Sequence, residues 1–570
     1  MKPVKIYPRV IEHIEDWPIY KLSQDRTEFI NQLEAATFER LTKQHGKDLN
    51  DLILKTLYQE RIRIKEDPWK VDPPNDRAFW KKVGKQLIKK SLDRQDSESQ
   101  DSAEQILQRI IRRYAEEIVG TFKISTFRFA QRFLTWLFNR ILNTAGGKSI
   151  RGLWSGRKRL YERLNVVGHV ELTRDLFNKG TVVAVPTHFS NLDSILVGYA
   201  MDQIMGLPSF SYGAGLNLYN FGPAAYYMNR LGAYRVDRRK KNTIYLETLK
   251  TMSKLSIERG VNSLFFPGGT RSRSGALEAD LKMGLLGTAV EAQRALVQQG
   301  AGKKVFIIPI VINYHFVIEA PFLIEQHLKR TGREHYLRLK DEGASVRSWL
   351  RFVWRFLSTT SEITLSIGRP MDVLGNFVDA EGHSCDQYGS RISIADYFTS
   401  NNKVNVDVQR EEEYTKLLAE RILERYKAEN VVLSSHLMAF TVFRLLLIQN
   451  PKLDLYGILR LPPDDYVFPI ETIYSTVAQL QEVLIKWEED EKIRLHPEIK
   501  LPVQELVETG VKNLGIYHHR PPLEFTKQGD LVSSDFRVLY YYHNRLDSYE
   551  LERKITWKPV QLELSLRNEQ

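Results

Sequence analysis

A chain of 570 residues, 42% of them hydrophobic, has material for several cores, which excludes a disordered polymer and a disulfide-stapled miniprotein. A formal net charge of +12 favours anionic partners. One cysteine, Cys385, excludes an intramolecular disulfide and fits a reducing, cytoplasmic setting, and Met1–Arg9 lacks the apolar stretch of a signal peptide.

Residues 1–147 read as a helical N-terminal domain. Helical spacing runs from Leu49 to Lys65 and from Glu104 to Phe122. The polar run Asp93 to Ser102 reads as an exposed loop or linker, and Thr144 to Lys148 as a boundary. Between them, Phe127 to Leu142 reads as an amphipathic helix. Arg128, Arg132, Thr135 and Asn139 share one face, with Phe129, Phe133, Trp136, Leu137 and Ile141 opposite. Such a helix suits a bilayer headgroup boundary or packing on the next domain.

Residues 148–375 alternate apolar strands with helical stretches. Strands are expected at 181–185, 207–212, 233–236, 262–266, 305–312 and 361–370, and helices at 192–204, 242–259 and 281–298. This is the pattern of an α/β domain, a mixed sheet flanked by helices. Residues 376–570 read as a mixed, largely helical C-terminal domain, with helices from Glu411 to Lys427 and Leu480 to Lys492. Val431 to Ile448 is long and apolar. His436 and Arg444 interrupt it, and a charge mid-span costs a few kcal/mol, so it reads as a buried helix.

Chemistry concentrates in the middle domain. The strand Thr181 to Pro186 is followed at once by His188-Phe-Ser-Asn-Leu-Asp193. A histidine acting as a base needs a partner that fixes its tautomer and stabilises its charged form, and a carboxylate does both. Alone, the pair also fits a strand-end histidine beside a capping aspartate. Leu231 to Arg239, ending in arginines, and Phe265-Phe-Pro-Gly-Gly-Thr-Arg-Ser-Arg-Ser-Gly275 follow. Arginine forks suit a phosphate monoester, and glycines let backbone N–H groups approach an anion. Arg238, Gly269, Thr270, Arg271, Ser272 and Arg273 are therefore the candidate phosphate-binding residues. Arg239, Lys240 and Lys241 read as a solvated basic loop. Pro309 implies an edge or a bulge in the strand Val305 to Ile312, a feature that either shapes an acyl or thioester pocket or is a plain irregularity. No metal-ligand spacing and no RNA-module signature is evident, so a metal is not expected and nucleic acid ranks last among partners.

These four blocks, in this order within about 130 residues, resemble the glycerolipid acyltransferase superfamily, whose blocks read roughly HxxxxD, GxxxxxR, FPEGTRS and a strand containing Pro. The runs Gly213 to Leu218, Gly222 to Ala233, Arg271 to Gly275 and Val538 to Leu546 look like those of the glycerol-3-phosphate and dihydroxyacetone-phosphate acyltransferases. The resemblance is specific over residues 181–320 and looser beyond. It implies acyl transfer from acyl-CoA or acyl-carrier protein to glycerol 3-phosphate. His188 would be the base, Asp193 its partner, Arg238 and the 269–273 loop the phosphate site, and Pro309 part of the acyl pocket. No bound cofactor is implied, and the enzyme would sit peripherally on an anionic, cytoplasmic membrane face. Two departures matter. Gly268 stands where the third block usually has Glu. Phe189 and Asn191 stand where many glycerol-3-phosphate enzymes have Arg and His, which leaves room for a 1-acylglycerol-3-phosphate acceptor. A non-catalytic lipid-binding protein and an acyl thioesterase rank behind these two readings.

Overall fold

The structure, a computed structural model, describes residues 5–92, 96–144, 164–216, 222–317, 319–331, 362–515 and 520–557, with Tyr219 and His518. Seven strands form the central sheet: β1 (Leu164–Gly168), β2 (Gly180–Pro186), β3 (Ser211–Gly215), β4 (Ala233–Val236), β5 (Ser263–Leu264), β6 (Lys304–Tyr314) and β7 (Ile363–Ile367). Their order is β1-β7-β6-β2-β5-β3-β4. Every neighbouring pair is parallel except β6 with β7, so the sheet is mixed, as expected. β2 and β6 are buried almost end to end. That is why they read as continuous apolar runs rather than alternating ones. The third strand starts later than the expected 207, because Leu207 to Phe210 lead into the sheet without pairing.

Pro309 is not at a sheet edge. It lies in β6, between β2 and β7, opposite Val185. It does face a bulge. Three residue steps separate Ile307 from Ile310 on β6, whereas four separate their partners Met371 and Ile367. The missing N–H of proline falls at this register shift, where no regular ladder bond is lost.

The N-terminal region contributes α1 (Arg26–His45), α2 (Leu49–Glu66), α3 (Asp76–Leu92), α4 (Asp96–Ile118) and α5 (Ile124–Thr144). The expected linker is helical from Asp96 onward. The run holds no Gly or Pro to break a helix. Residues 93–95 and 145–148 of the expected linker and boundary lie outside the described residues. In the sheet domain follow α6 (Asp193–Tyr199), α7 (Gly222–Met228), α8 (Thr243–Glu258), α9 (Met283–Gln298) and α10 (Ala320–Thr331). The Asn242 side chain caps α8 by accepting from the Tyr245 N–H. Phe29, Leu33, Leu107, Ile111 and Tyr114 of the N-terminal helices share one core with Ile244, Tyr245 and Met252 of α8.

A chain of ion pairs runs through that contact. Arg63 is buried against Glu60 at 2.8 Å and against Asp76, and Arg113 reaches Asp76 at 2.9 Å. Lys240 pairs with Glu117, and Arg239 pairs with Asp72 and Asp237. The expectation of a solvated loop therefore fails for Arg239 and Lys240, which reach Asp72 and Glu117 far back in the chain, Arg239 also pairing with neighbouring Asp237; Lys241 is exposed.

The C-terminal region adds α11 (Val408–Glu429), α12 (Ser434–Gln449), α13 (Ile470–Glu489), α14 (Val503–Gly515) and α15 (Phe536–Asp547). α12 is the apolar stretch from the sequence, buried nearly all round and packed on α14 and α15. Arg444 emerges to meet Asp547 at 2.6 Å. Among the described residues no helix is long and apolar enough to cross a membrane.

Candidate active site

β2 ends at Pro186, and two residues later the chain turns over the C-terminal edge of the sheet with His188 at the crest. α6 starts at Asp193 and carries its carboxylate back under the turn. His188 Nδ1 lies 2.7 Å from Asp193 Oδ2. The same oxygen accepts from the Phe189 and Ser190 N–H groups at 2.6 and 2.9 Å. Tyr314, at the end of β6, donates its hydroxyl to Asp193 Oδ1. Burial and the neighbouring Asp193 carboxylate push the Tyr314 phenol well above its ordinary pKa, so it stays a donor. Asp193 is wholly buried, whereas the His188 side chain keeps 18% of its surface. A buried carboxylate with four donors is fixed in place, and so is the ring it holds. Phe266 stacks on that ring at 4.2 Å. Among the described residues none hydrogen-bonds His188 Nε2.

The Gly-Gly-Thr-Arg loop is tied directly to this turn. The Ser272 N–H donates to the His188 carbonyl at 2.7 Å, and the Ser272 hydroxyl to the Ala276 carbonyl at 2.8 Å. Gly269 turns the chain with φ +78°, a conformation that excludes most side chains. Thr270 is exposed. Arg271 Nη1 lies 3.4 Å from Glu319 Oε1, and Arg273 Nε donates to Gln326 at 3.1 Å. Arg271, Ser272 and His188 are thus brought together. Arg238 is not. It sits in an exposed turn after β4, at the sheet edge, three strands from β2 or roughly 14 Å across the sheet.

Sequence reasoning missed three residues here. Glu278 accepts from the His188 N–H at 2.8 Å. A Cβ added at Gly268 would lie 3.0 Å from Glu278 Cγ, so this carboxylate side chain fills the space beside the position where the third block usually carries Glu. Burial pushes the Glu278 carboxyl up to about 7, with the His188 N–H and Arg545 only partly opposing. Glu319 accepts from Ser190 Oγ at 3.2 Å and from the Asn191 N–H at 3.1 Å; burial raises its carboxyl pKa despite Arg271. Arg545 of α15 is buried, donates to the Ile312 carbonyl at 2.7 Å and lies 3.7 Å from the centre of the Phe189 ring. Asn544 donates to the Ser274 carbonyl at 2.9 Å. Arg545 lies in the Val538 to Leu546 run singled out in the sequence, but nothing in its composition showed that it reaches the turn.

The Acyltransferase family model matches residues 163–313. Among curated proteins, a glycerol-3-phosphate acyltransferase of Shewanella frigidimarina (strain NCIMB 400) is 26% identical over 302 residues, 52% of this chain and 34% of that protein. The protein of the same name from Shewanella sp. (strain ANA-3) is 25% identical over 301 residues, again 52% of this chain and 34% of the relative. The match thus spans about a third of the relatives' length. These matches, and the mixed sheet that carries the blocks, show an acyltransferase domain over residues 163–313 that is similar to part of the glycerol-3-phosphate acyltransferases.

Proposed function

We propose that the protein transfers a fatty acyl group from acyl-CoA or acyl-carrier protein to the primary hydroxyl of glycerol 3-phosphate, forming lysophosphatidate. The observation that carries this reading is His188, its Nδ1 held by a buried carboxylate and its Nε2 left open. In the reaction, Nε2 takes the proton of the acceptor hydroxyl and the oxygen attacks the thioester carbonyl. The carbon–sulfur bond then breaks, and the thiolate leaves with that proton. Asp193 holds the ring and stabilises its protonated form. The phosphate lies on the Gly269–Arg273 loop, where Arg271 has further N–H groups beyond the one on Glu319, and Arg238, at the sheet edge, has no part in holding it. Pro309 would shape the acyl pocket from the strand behind. No bound cofactor takes part.

The same reading places the enzyme peripherally at an anionic membrane surface on the cytoplasmic side, where its amphiphilic product belongs. α5 supports it. The helix packs inward through Phe127, Gln131, Leu134 and Thr135. Phe129, Phe133 and Trp136 point outward at 51%, 44% and 57% exposure. Arg128 and Arg132 are exposed beside these aromatics rather than opposite them. Tyr226 of α7 extends the patch, with Arg230 over its ring at 3.9 Å. Aromatics ringed by arginines suit a headgroup boundary.

The deciding assay is thiol release from palmitoyl-CoA with and without glycerol 3-phosphate. Release that depends on glycerol 3-phosphate, with lysophosphatidate formed, is the expected result. Release only with lysophosphatidate would make the protein a 1-acylglycerol-3-phosphate acyltransferase, and release without acceptor a thioesterase.

A further inference from the structure

Behind the candidate site, β6 ends at Tyr314, and the next residue, His315, turns into the C-terminal region. There it meets His496, which follows the short strand Arg494–Leu495, and Glu498 two residues on. One nitrogen of each ring and one carboxylate oxygen lie within 4.8 Å of one another. Both histidine side chains are almost wholly buried, at 3% and 7% exposure.

The distances are wrong for hydrogen bonds and right for a shared cation. His315 Nε2 stands 3.7 Å from Glu498 Oε2, and His496 Nδ1 stands 3.5 Å from the same oxygen. His496 Nδ1 is buried without a hydrogen-bond partner. Two ligands of a tetrahedral zinc ion, each at roughly 2.0–2.1 Å, are roughly 3.3 Å apart. Each far side is also held. His315 Nδ1 meets the Ser435 hydroxyl at 3.1 Å, and His496 Nε2 faces Glu362 at 3.3 Å. Glu498 accepts from the Ser434 hydroxyl at 2.7 Å. One nitrogen inward and the other on a carboxylate or hydroxyl is the outer-sphere arrangement of metal-bound imidazole. Charge agrees: a divalent cation offsets the carboxylates of Glu498 and Glu362.

We propose that His315, His496 and Glu498 bind one divalent transition-metal ion, zinc in class, that fastens the end of β6 to the C-terminal region. The sequence could not reveal it, because its ligands are distributed over residues 315 to 498 with no motif spacing between them. The ion takes no part in the acyl transfer proposed above, and its test is independent of that reading.

Untagged full-length chain, stripped with a chelator, is titrated with Zn2+ against a chromophoric zinc indicator. The expected result is one Zn2+ per chain, with affinity falling at least tenfold, as roughly 10–100-fold losses accompany even outer-sphere changes, in His315→Gln and in Glu498→Gln. Glu381→Gln, at the exposed member of the Asp379, Glu381 and His383 cluster, leaves uptake unchanged. No uptake by the wild type, or uptake indifferent to both substitutions, would overturn the proposal. Should both variants fail to fold, Co2+ added to the stripped wild type decides. Intense absorption of a tetrahedral nitrogen–oxygen site is expected, and its absence refutes the site, leaving protonated His496 as the charge between Glu362 and Glu498.

Discussion

At the candidate site a single histidine is held from three directions: by Asp193, by the stacked Phe266 ring, and by the Ser272 N–H on its carbonyl. Replacing His188 with Ala removes the proposed base without opening the core, since the ring is partly exposed. Turnover should fall by roughly 10²–10⁴ with the fold retained and the melting temperature lowered only by the loss of the Asp193 and Phe266 contacts. Steady-state kinetics beside thermal unfolding checks this, and near-full activity would remove His188 from the reaction. Tyr314→Phe keeps the ring and deletes one donor to Asp193. It should lower kcat far less than His188→Ala and shift the pH–rate profile. Glu278 gives a pH test. Its folded pKa of about 7 lies above the ordinary 4.5, so the folded chain binds this proton more tightly than the unfolded one. Its contribution to stability is complete on the acid side and is lost as pH rises through about 7. Glu278→Gln should therefore flatten the stability difference between pH 5 and pH 8, read by urea melts at both. Arg271→Ala should raise the acceptor KM more than the donor KM, and the reverse pattern would move Arg271 to the thioester side.

The elements were legible in unequal measure. β2 and β6 were plain because burial on both faces leaves a continuous apolar run in composition. The His188/Asp193 pairing was legible because strand, turn and helix start follow one another within a few residues. Pro309, Arg239 and Lys240 misled in part, since their surroundings are set by distant segments: a bulge opposite one, buried acids around the others. Glu278, Glu319 and Arg545 were invisible for the same reason. α5 was expected as an amphipathic helix, but its inward face had to be seen in contact with Tyr199 and Asp202 before its outward aromatics could be identified. Phe133→Ser with Trp136→Ser should weaken flotation with anionic vesicles while leaving turnover on soluble substrates intact, and undiminished flotation would remove this helix from the membrane contact.

Over the whole molecule, the N-terminal helices are part of the sheet domain's core. They cover Ile244, Tyr245 and Met252 of α8, Glu117 on α4 pairs with Lys240, and Asp72 in the turn before α3 pairs with Arg239. A chain beginning at residue 148 would expose that apolar face and strand a buried lysine, a change that costs roughly 3–5 kcal/mol for the broken pair alone. Such a truncation should accumulate as aggregate, and recovery of a soluble, cooperatively melting fragment would show that the two regions fold separately. Lys240→Met, which removes one of the two cations beside buried Glu117 and leaves Arg113 at 3.3 Å, should lower stability by less than this in denaturant melts.

Arg545 of α15 lies over the Phe189 ring of the histidine turn, and Asn544 holds the adjoining loop at the Ser274 carbonyl. Synthesis is vectorial, and sheet strands and loops emerge long before α15. The turn therefore has its Asp193, Phe266 and Ser272 contacts early and gains the Arg545 guanidinium over Phe189 only after residue 545 has emerged, so the last brace on this corner of the sheet is set late in synthesis.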